Sequence, residues 1–456
     1  MRRSDGGTIM AGKQDSYEVI IIGGGLAGLA AAVYLGRGKK RVLLIEQSHS
    51  LGGRASTKQQ DGFALNLGPH ALYRSGPGID ILSEIGLEIR GNVPNTAGGF
   101  VVNNGVKHTL PAGFVSLLST SLFGVSAKVE TAKLLASLAK IDSSTINSLT
   151  VREWVDARLS NKPVRDLLLA LFRLTSYANA PELMSAGAAV EQLQKALAKN
   201  VVYLDLGWQT LVDGLRDAAI KEGVEIRTAV KAESVEIGST GEVTGVRLAD
   251  NRLLTASAIL MASSPGVAAA LVKNTAVEEY ARYAAPIEAA CLDLALSRLP
   301  DPRASFALGI DQPYYFSVHS AAARLAPDGR ALIHIAKYLA PDDAGSAQGV
   351  EHELESFADL IQPGWRKEIV IRRFLPRMVV SNAVPMANRG GLQGRPKPVV
   401  SEIPGLYLAG DWIGDEGQLA DASLASAKKA AEAILSAPLR SSESRVGAAS
   451  GSPQFQ

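Results

Sequence analysis

The 456-residue sequence predicts an α/β protein whose nucleotide-binding part is interrupted twice by a second, mixed α+β part. Three observations carry this. An apolar β-branched run, Val19-Ile20-Ile21-Ile22, enters the turn Gly23-Gly24-Gly25 and leaves, past Leu26, Ala27 and Gly28, into an alanine-rich helical pattern. Strand, turn and helix thus follow in the order that a dinucleotide phosphate loop needs. A second apolar strand, Val42-Leu43-Leu44-Ile45, ends in an acid, Glu46, and the α/β pattern returns twice much further along the chain.

Composition sets the bounds. The length allows about two domains on a prior of roughly 100 to 200 residues each. Hydrophobic residues at 46% and charged residues at 20% describe a globular chain, and a net charge of +2 argues against nucleic acid as a partner. The single cysteine, Cys291, excludes an intramolecular disulfide and a dithiol redox centre, which fits a reducing, cytoplasmic setting. The 6 histidines show no metal-ligand spacing, so no metal is expected.

The elements follow in order. Residues 1–15 predict a loose tail: Arg2, Arg3 and Lys13 flank no apolar signal core, and Met10 stands where an alternative start would fall. Gly23 permits a tight turn, Gly25 admits a pyrophosphate, and Gly28 lets the helix pack on the strand while its free N–H groups face the phosphates. Glu46 would meet ribose hydroxyls, favouring NAD or FAD over NADP. After Gly52-Gly53-Arg54 come a short stretch ending Gly68-Pro69-His70 and a helix over 79–85. A hairpin at 99–108 and helices from 112 to about 200 follow.

Residues 110–127 carry no charge, yet Pro111, Gly113 and Gly124 make them a poor membrane span. Phe114, Leu117, Leu118 and Leu122 share a helical face, and Lys128, Lys133 and Lys140 follow. This outlines a helix lying peripherally on a membrane or lining an apolar tunnel, with an ordinary core-facing helix pair as the alternative. A helix over 208–222, a strand at 224–226, a hairpin over 235–248 and a buried strand at 258–262 restore the α/β pattern. Further strands at 289–296, 314–318 and 331–338 belong to the second insertion. A strand at 406–408 then runs into Ala409-Gly410-Asp411, and a helix covers 420–435. The nucleotide part is thus 16–90, 205–270 and 395–438, the substrate part 91–204 and 271–394, and the Ser/Gly-rich 439–456 a second disordered tail.

Three of these motifs resemble the FAD-dependent amine-oxidase and phytoene-desaturase superfamily, closest in look to phytoene desaturase-like oxidoreductases. They are the glycine turn extended through Glu46, Gln47, Gly52, Gly53 and Arg54; Val224-Glu225-Ile226-Arg227-Thr228-Ala229-Val230; and Ala409-Gly410-Asp411 with Gly417-Gln418-Leu419-Ala420. The resemblance implies a discontinuous Rossmann-type FAD-binding domain. It implies that Leu26, Ala27, Gly53 and Arg54 join Gly23, Gly25 and Gly28 around the pyrophosphate, that Glu46 and Gln47 hold the adenosine ribose, and that the backbone of Val230 meets the adenine. Gly410 and Asp411 would lie at the ribityl end, and the helix start at Gln418, Leu419 and Ala420 at flavin N1 and O2. Gly68, Pro69 and His70 would approach the flavin. Leu206 replaces a glycine that the superfamily usually has before the 208–222 helix.

A flavin accepts hydride at N5, so the protein mainly positions a C–H bond and excludes water. Amine oxidases of the superfamily commonly place a lysine near N5 on a substrate-domain strand, and Ala289-Ala290-Cys291-Leu292-Asp293-Leu294-Ala295-Leu296 has none. The leading expectation is therefore desaturation of a lipophilic, isoprenoid or carotenoid-like substrate. The alternatives are an amine or protoporphyrinogen-type oxidase, a redox-neutral flavin isomerase, and a non-catalytic prenyl-binding escort-like protein, which intact flavin motifs disfavour. His70 is the candidate for proton removal, with a structural histidine as the other reading; Tyr73 and Arg74 follow it. Trp412, Tyr314, Tyr315 and Phe316 read as cavity lining or core. Arg372, Arg373 and Arg377 read as a solvated strand face or a guide for an acidic substrate, and Lys337 as a surface residue.

Overall fold

The computed structural model describes residues 16–437 other than 97, and the side chains of Phe114 and Thr275 lie outside it, as do both expected tails and Met10. The chain folds around two seven-stranded sheets. In the first, Glu225–Arg227, Val42–Ile45, Ser16–Ile22, the far half of Leu253–Met261, and Leu406–Leu408 lie side by side, all parallel. The near half of Leu253–Met261 pairs antiparallel with Val243–Leu248, which pairs in turn with Ala232–Ile237. Parallel strands buried on both faces read as continuous apolar runs, which is why Ile20, Ile21, Leu43, Leu44, Ile259 and Leu260 are wholly buried.

The helix Leu26–Arg37 packs on this sheet between Leu419–Ser436 and Gln209–Lys221. Its small residues Ala30, Ala31 and Ala32 are fully buried and allow that close approach. Every parallel strand ends at the same edge. Gly23, Glu46, Ala262, the loop to Val230 and the loop to Asp411 therefore lie along one carboxyl rim, where open α/β sheets take their ligands.

The second sheet runs Ile369–Ser381, Ile287–Leu296, Ala331–Leu339, Tyr314–Val318, Phe306–Gly309, Phe100–Asn103 and Val106–Thr109. One face packs through Ala290, Leu292, Leu294 and Leu296 against the helix Ala347–Ile361. Its other face meets Phe63, Ala64 and Leu65 through Ala295 and Leu332. A helical layer that includes Lys162–Ser176 and Ala186–Lys199 covers part of that face. The longest strand, Ile369–Ser381, carries the arginine run, whose strand face is expected from the sequence without bounds because Arg372, Arg373, Pro376 and Arg377 break the apolar alternation of this edge strand.

The uncharged stretch forms the helix Phe114–Ser119 and the start of Val125–Leu138. Leu117 and Leu122 turn inward, whereas Val115 is 78%, Leu118 55% and Val125 82% exposed. Among the described residues no helix is long and apolar enough to cross a membrane.

Candidate active site

The glycine turn has the close approaches its sequence requires. A Cβ on Gly28 would sit 1.9 Å from the carbonyl oxygen of Gly23, and one on Gly23, at φ +116°, would sit 2.4 Å from the oxygen of Ala262. Around Gly25 the space is open, the nearest atom to a Cβ being 3.9 Å away, and around Gly53 nothing lies within 4 Å. The helix that begins at Leu26 has no side-chain cap, and neither has the helix that begins at Leu419. Two helix starts with uncapped N–H groups at one rim suit an anionic dinucleotide.

Glu46 closes the turn: its carboxylate accepts from the N–H of Gly24 at 2.7 Å and from that of Ser48 at 2.8 Å. Each oxygen retains capacity for a further hydroxyl. The N–H of Val230 is spent on the carbonyl of Glu46 at 2.9 Å, which leaves the Val230 carbonyl for any base. Gln47 is exposed beside it, while Leu26 and Ala27 are buried under the turn. Leu206 has φ +61°, the conformation that the missing glycine would supply, and Ala229 and Leu419 share it at +55° and +56°.

Asp411 is buried below the rim. It accepts from Arg54 at 2.6 Å and from the side-chain and backbone N–H groups of Asn382 at 2.8 and 3.1 Å. Burial opposes its ionisation, but the Arg54 charge and these bonds outweigh it and hold the carboxyl below its usual value. Gly410 is pinned by the Ser426 hydroxyl at 2.9 Å, and the Gln418 amide donates to Ala188 at 2.8 Å. Arg395, which the sequence reading did not single out, donates to the carbonyl of Gly417 at 2.8 Å, and its Nε is buried without a partner. Burial pushes this guanidinium down to about 10. A bare cationic N–H in this loop, with the open ground at Gly25 and Gly53, fits FAD.

The segment 66–70 joins the two sheets. His70 lies 3.1 Å from the carbonyl of Gly68 through Nδ1 and 3.0 Å from that of Arg54 through Nε2. Carbonyls only accept, so neither nitrogen turns a lone pair toward open space, and the geometry suits positioning better than proton removal. Burial is the leading influence on this imidazole and lowers its pKa. Pro69 and Gly68 are buried, and the Tyr177 hydroxyl donates to the Pro69 carbonyl at 3.1 Å. Tyr73 and Arg74 turn elsewhere, to the carbonyls of Thr175 and Lys199.

Beneath this segment the second sheet presents a polar row. Register sets Asp293 opposite both Arg373 and His334, and His334 opposite Ser317, so four residues line up across four adjacent strands. Asp293, His334 and Ser317 are buried. Arg373 binds Asp293 and also the carbonyl of Asn66. Cys291 lies next to the row, its thiol 3.1 Å from Asp293 and 3.5 Å from where a Gly68 Cβ would be. Tyr203 bonds both Ser317 at 3.3 Å and Tyr315 at 3.0 Å, and Tyr315 bonds Nε2 of His319 at 2.9 Å. Nδ1 of His319 and Nε2 of His334 are buried and have no partner.

The other predicted liners scatter. Only Tyr315 joins this face; Phe316 points into the opposite core, Tyr314 bonds Glu353, and Trp412 donates to Ser263. Arg372 pairs with Glu351 and Glu355, and Arg377 with Glu288, leaving Arg373 as the inward member of the run. Lys337 pairs with Glu353 and Asp343.

Comparison with known proteins gives concordant results. A family model described as flavin containing amine oxidoreductase matches residues 26–435. The chain is 27% identical over 254 residues to coproporphyrinogen III oxidase of Bacillus subtilis, covering 52% of this chain and 51% of that one. It is 24% identical over 280 residues to 4,4'-diaponeurosporene oxygenase of Staphylococcus aureus, covering 53% and 55%. The chain thus spans about half the length of these two curated relatives. A solved oxidoreductase structure from Methanosarcina mazei superposes with a TM-score of 0.72 at 19% identity, over 91% of this chain and 100% of that one, which establishes the shared fold.

Proposed function

The chain belongs to the flavin-containing amine oxidoreductase family, and on that premise we propose that it oxidises a porphyrinogen-type tetrapyrrole by hydride removal. It is an FAD-dependent oxidoreductase. The observation that carries the substrate reading is the buried polar row with its two bare imidazole nitrogens. A polyene offers nothing to bond them, and each polar group left buried and unmet costs about 1–3 kcal/mol. A tetrapyrrole brings ring N–H groups. Similarity to a coproporphyrinogen III oxidase supports the same direction.

In this reading residues 16–90, 205–270 and 395–438 bind FAD and the remaining described segments bind substrate. Gly23, Gly25, Leu26, Ala27, Gly28, Gly53 and Arg54 hold the pyrophosphate, Glu46 and Gln47 the ribose, and Val230 the adenine. Gly68, Pro69, His70, Gly410, Asp411, Gln418, Leu419 and Ala420 frame the flavin. Bound FAD supplies a two-electron hydride acceptor. The protein's own part is to orient the C–H bond, exclude water and receive a proton.

Isoprenoid desaturation is the second reading, favoured by similarity to the diaponeurosporene oxygenase and by the exposed Val115, Leu118 and Val125 beside Lys128 and Lys133. That patch would rest on an anionic bilayer, through which either lipophilic substrate could enter. Amine oxidation lacks support, since Ile287–Leu296 holds no lysine and Lys337 is engaged with acids. The test is anaerobic bleaching of the bound flavin by coproporphyrinogen III, protoporphyrinogen, 4,4'-diaponeurosporene and putrescine. Bleaching by the porphyrinogens is expected; bleaching by the polyene or the amine alone overturns the proposal.

A further inference from the structure

We infer that His334, oriented by Asp293, is the proton acceptor in this oxidation, a role that no motif in the sequence marks. The inference rests on the preceding reading for the bond that gives up the proton, and on the second sheet alone for the acceptor.

Asp293 is wholly buried at the centre of the row. One carboxylate oxygen is held by Arg373, through Nε at 2.8 Å and Nη2 at 2.5 Å, and the other lies 2.5 Å from Nδ1 of His334. Burial opposes the charge, but His334 and Arg373 together hold the carboxyl below its usual range, so it is a carboxylate. A carboxylate only accepts, and Nδ1 of His334 therefore carries the ring proton. With Nδ1 turned to Asp293, Nε2 is the ring nitrogen left for the substrate, buried and without a partner. An aspartate behind a histidine fixes the tautomer and stabilises the imidazolium once a proton arrives.

The groups around the dyad leave it this role. The His319 ring stands edge-on at 4.5 Å between centroids, and burial keeps it neutral by lowering its pKa well below the usual value. Burial raises the Cys291 thiol well above its usual range, so it does not compete as a base. Cys291, Asp293 and His334 are close enough together to hold a metal ion, but Arg373 already supplies the cation to Asp293. His70, the other histidine near the segment 66–70, has both nitrogens against carbonyls.

The step balances. The oxidation would break a substrate C–H bond, and bound FAD would supply the acceptor for the hydrogen and its electron pair as hydride. The neighbouring N–H bond would break, its electron pair staying on nitrogen while the nitrogen's former π lone pair forms the C=N bond, and its proton would move to Nε2 of His334. The substrate would lose two electrons and two hydrogens, one as hydride for which bound FAD would be the acceptor and one as the proton held by His334 until it passes to solvent before the next turnover.

The experiment compares FAD-loaded wild type with H334Q, H334G and D293N. In ¹⁵N-histidine-labelled protein, long-range nitrogen–proton spectra should show a ring protonated at Nδ1 and bare at Nε2. That pattern should be absent from H334Q and lose its Nδ1 preference in D293N. A His334 ring protonated at Nε2 overturns the inference whatever the substrate. In single-turnover flavin bleaching at saturating coproporphyrinogen III, H334Q should lose about 10²–10⁴-fold in rate, beyond any weakening of substrate Kd. Added imidazole should restore part of the rate to H334G. H334Q bleaching at the wild-type rate overturns the role, and if only the polyene bleaches wild type, the porphyrinogen reading fails while the same variants decide the dyad in that reaction. Should H334Q not retain FAD, D293N carries the test, with rate loss expected and wild-type rate refuting.

Discussion

Asp421 sits in the third position of the helix Leu419–Ser436. It is 1% exposed, accepts from the N–H of Gly78 at 3.1 Å through one oxygen, and has no partner for the other. Burial pushes its pKa from 3.8 up to about 6, with Lys195 and the Gly78 bond opposing and Asp80 and Glu416 assisting. The folded protein therefore binds this proton more tightly than the unfolded chain does, and stability falls as pH rises between those two values. Asp421→Asn keeps the acceptor for Gly78 and removes the charge. A shift of about 2 units corresponds to about 3 kcal/mol, fully expressed above the folded pKa and vanishing below the unfolded one. The variant should thus be more stable than wild type by about 3 kcal/mol near pH 8 and by about half that near pH 5, read from urea unfolding of the holoprotein followed by flavin fluorescence. A gain that is equal at both pH values, or a loss at the higher one, refutes the electrostatic account.

Three further outcomes follow from geometry described above. Gly28→Ala places a methyl 1.9 Å from the Gly23 oxygen and should strip FAD, giving a purified protein with well under half the wild-type flavin-to-protein absorbance ratio; a fully yellow variant contradicts the close packing. Leu206→Gly relieves a left-handed leucine that is 52% exposed, at the expense of chain entropy, for a net gain of about 0.5 kcal/mol seen as a raised urea midpoint. Val125→Asp should weaken co-sedimentation with anionic vesicles about tenfold or more while leaving neutral vesicles unaffected, and unchanged sedimentation removes the membrane contact.

The nucleotide rim was legible because its chemistry is local. Strand, glycine turn, helix and acid are close in sequence, and the returns at Val230 and Asp411 each carry a strand signal of their own. Leu206 shows the limit of such reading, since a leucine there preserves the backbone angle that a glycine would have advertised. The polar row was not legible. Its four members come from four strands and meet only through register, which a single residue's slip would undo. One signal was present: Asp293 and His334 each stand between buried apolar neighbours in their strands, and a buried polar residue is more informative than an exposed apolar one. The arginine run was read as a uniform face, but strand alternation sends Arg373 inward and Arg372 outward.

The segment 66–70 is fastened at both ends, to Arg373 through the carbonyl of Asn66 and to the carbonyl of Arg54 through His70, while Arg54 itself grips Asp411. Cofactor pocket and polar row therefore share one short piece of chain. Whatever free energy the loading of one adds to that piece is felt at the other, and thermodynamic reciprocity fixes the two effects as equal. Titrating FAD into the apoprotein with and without a porphyrinogen analogue would express this shared fastening as a single coupling factor, the same in either order of addition.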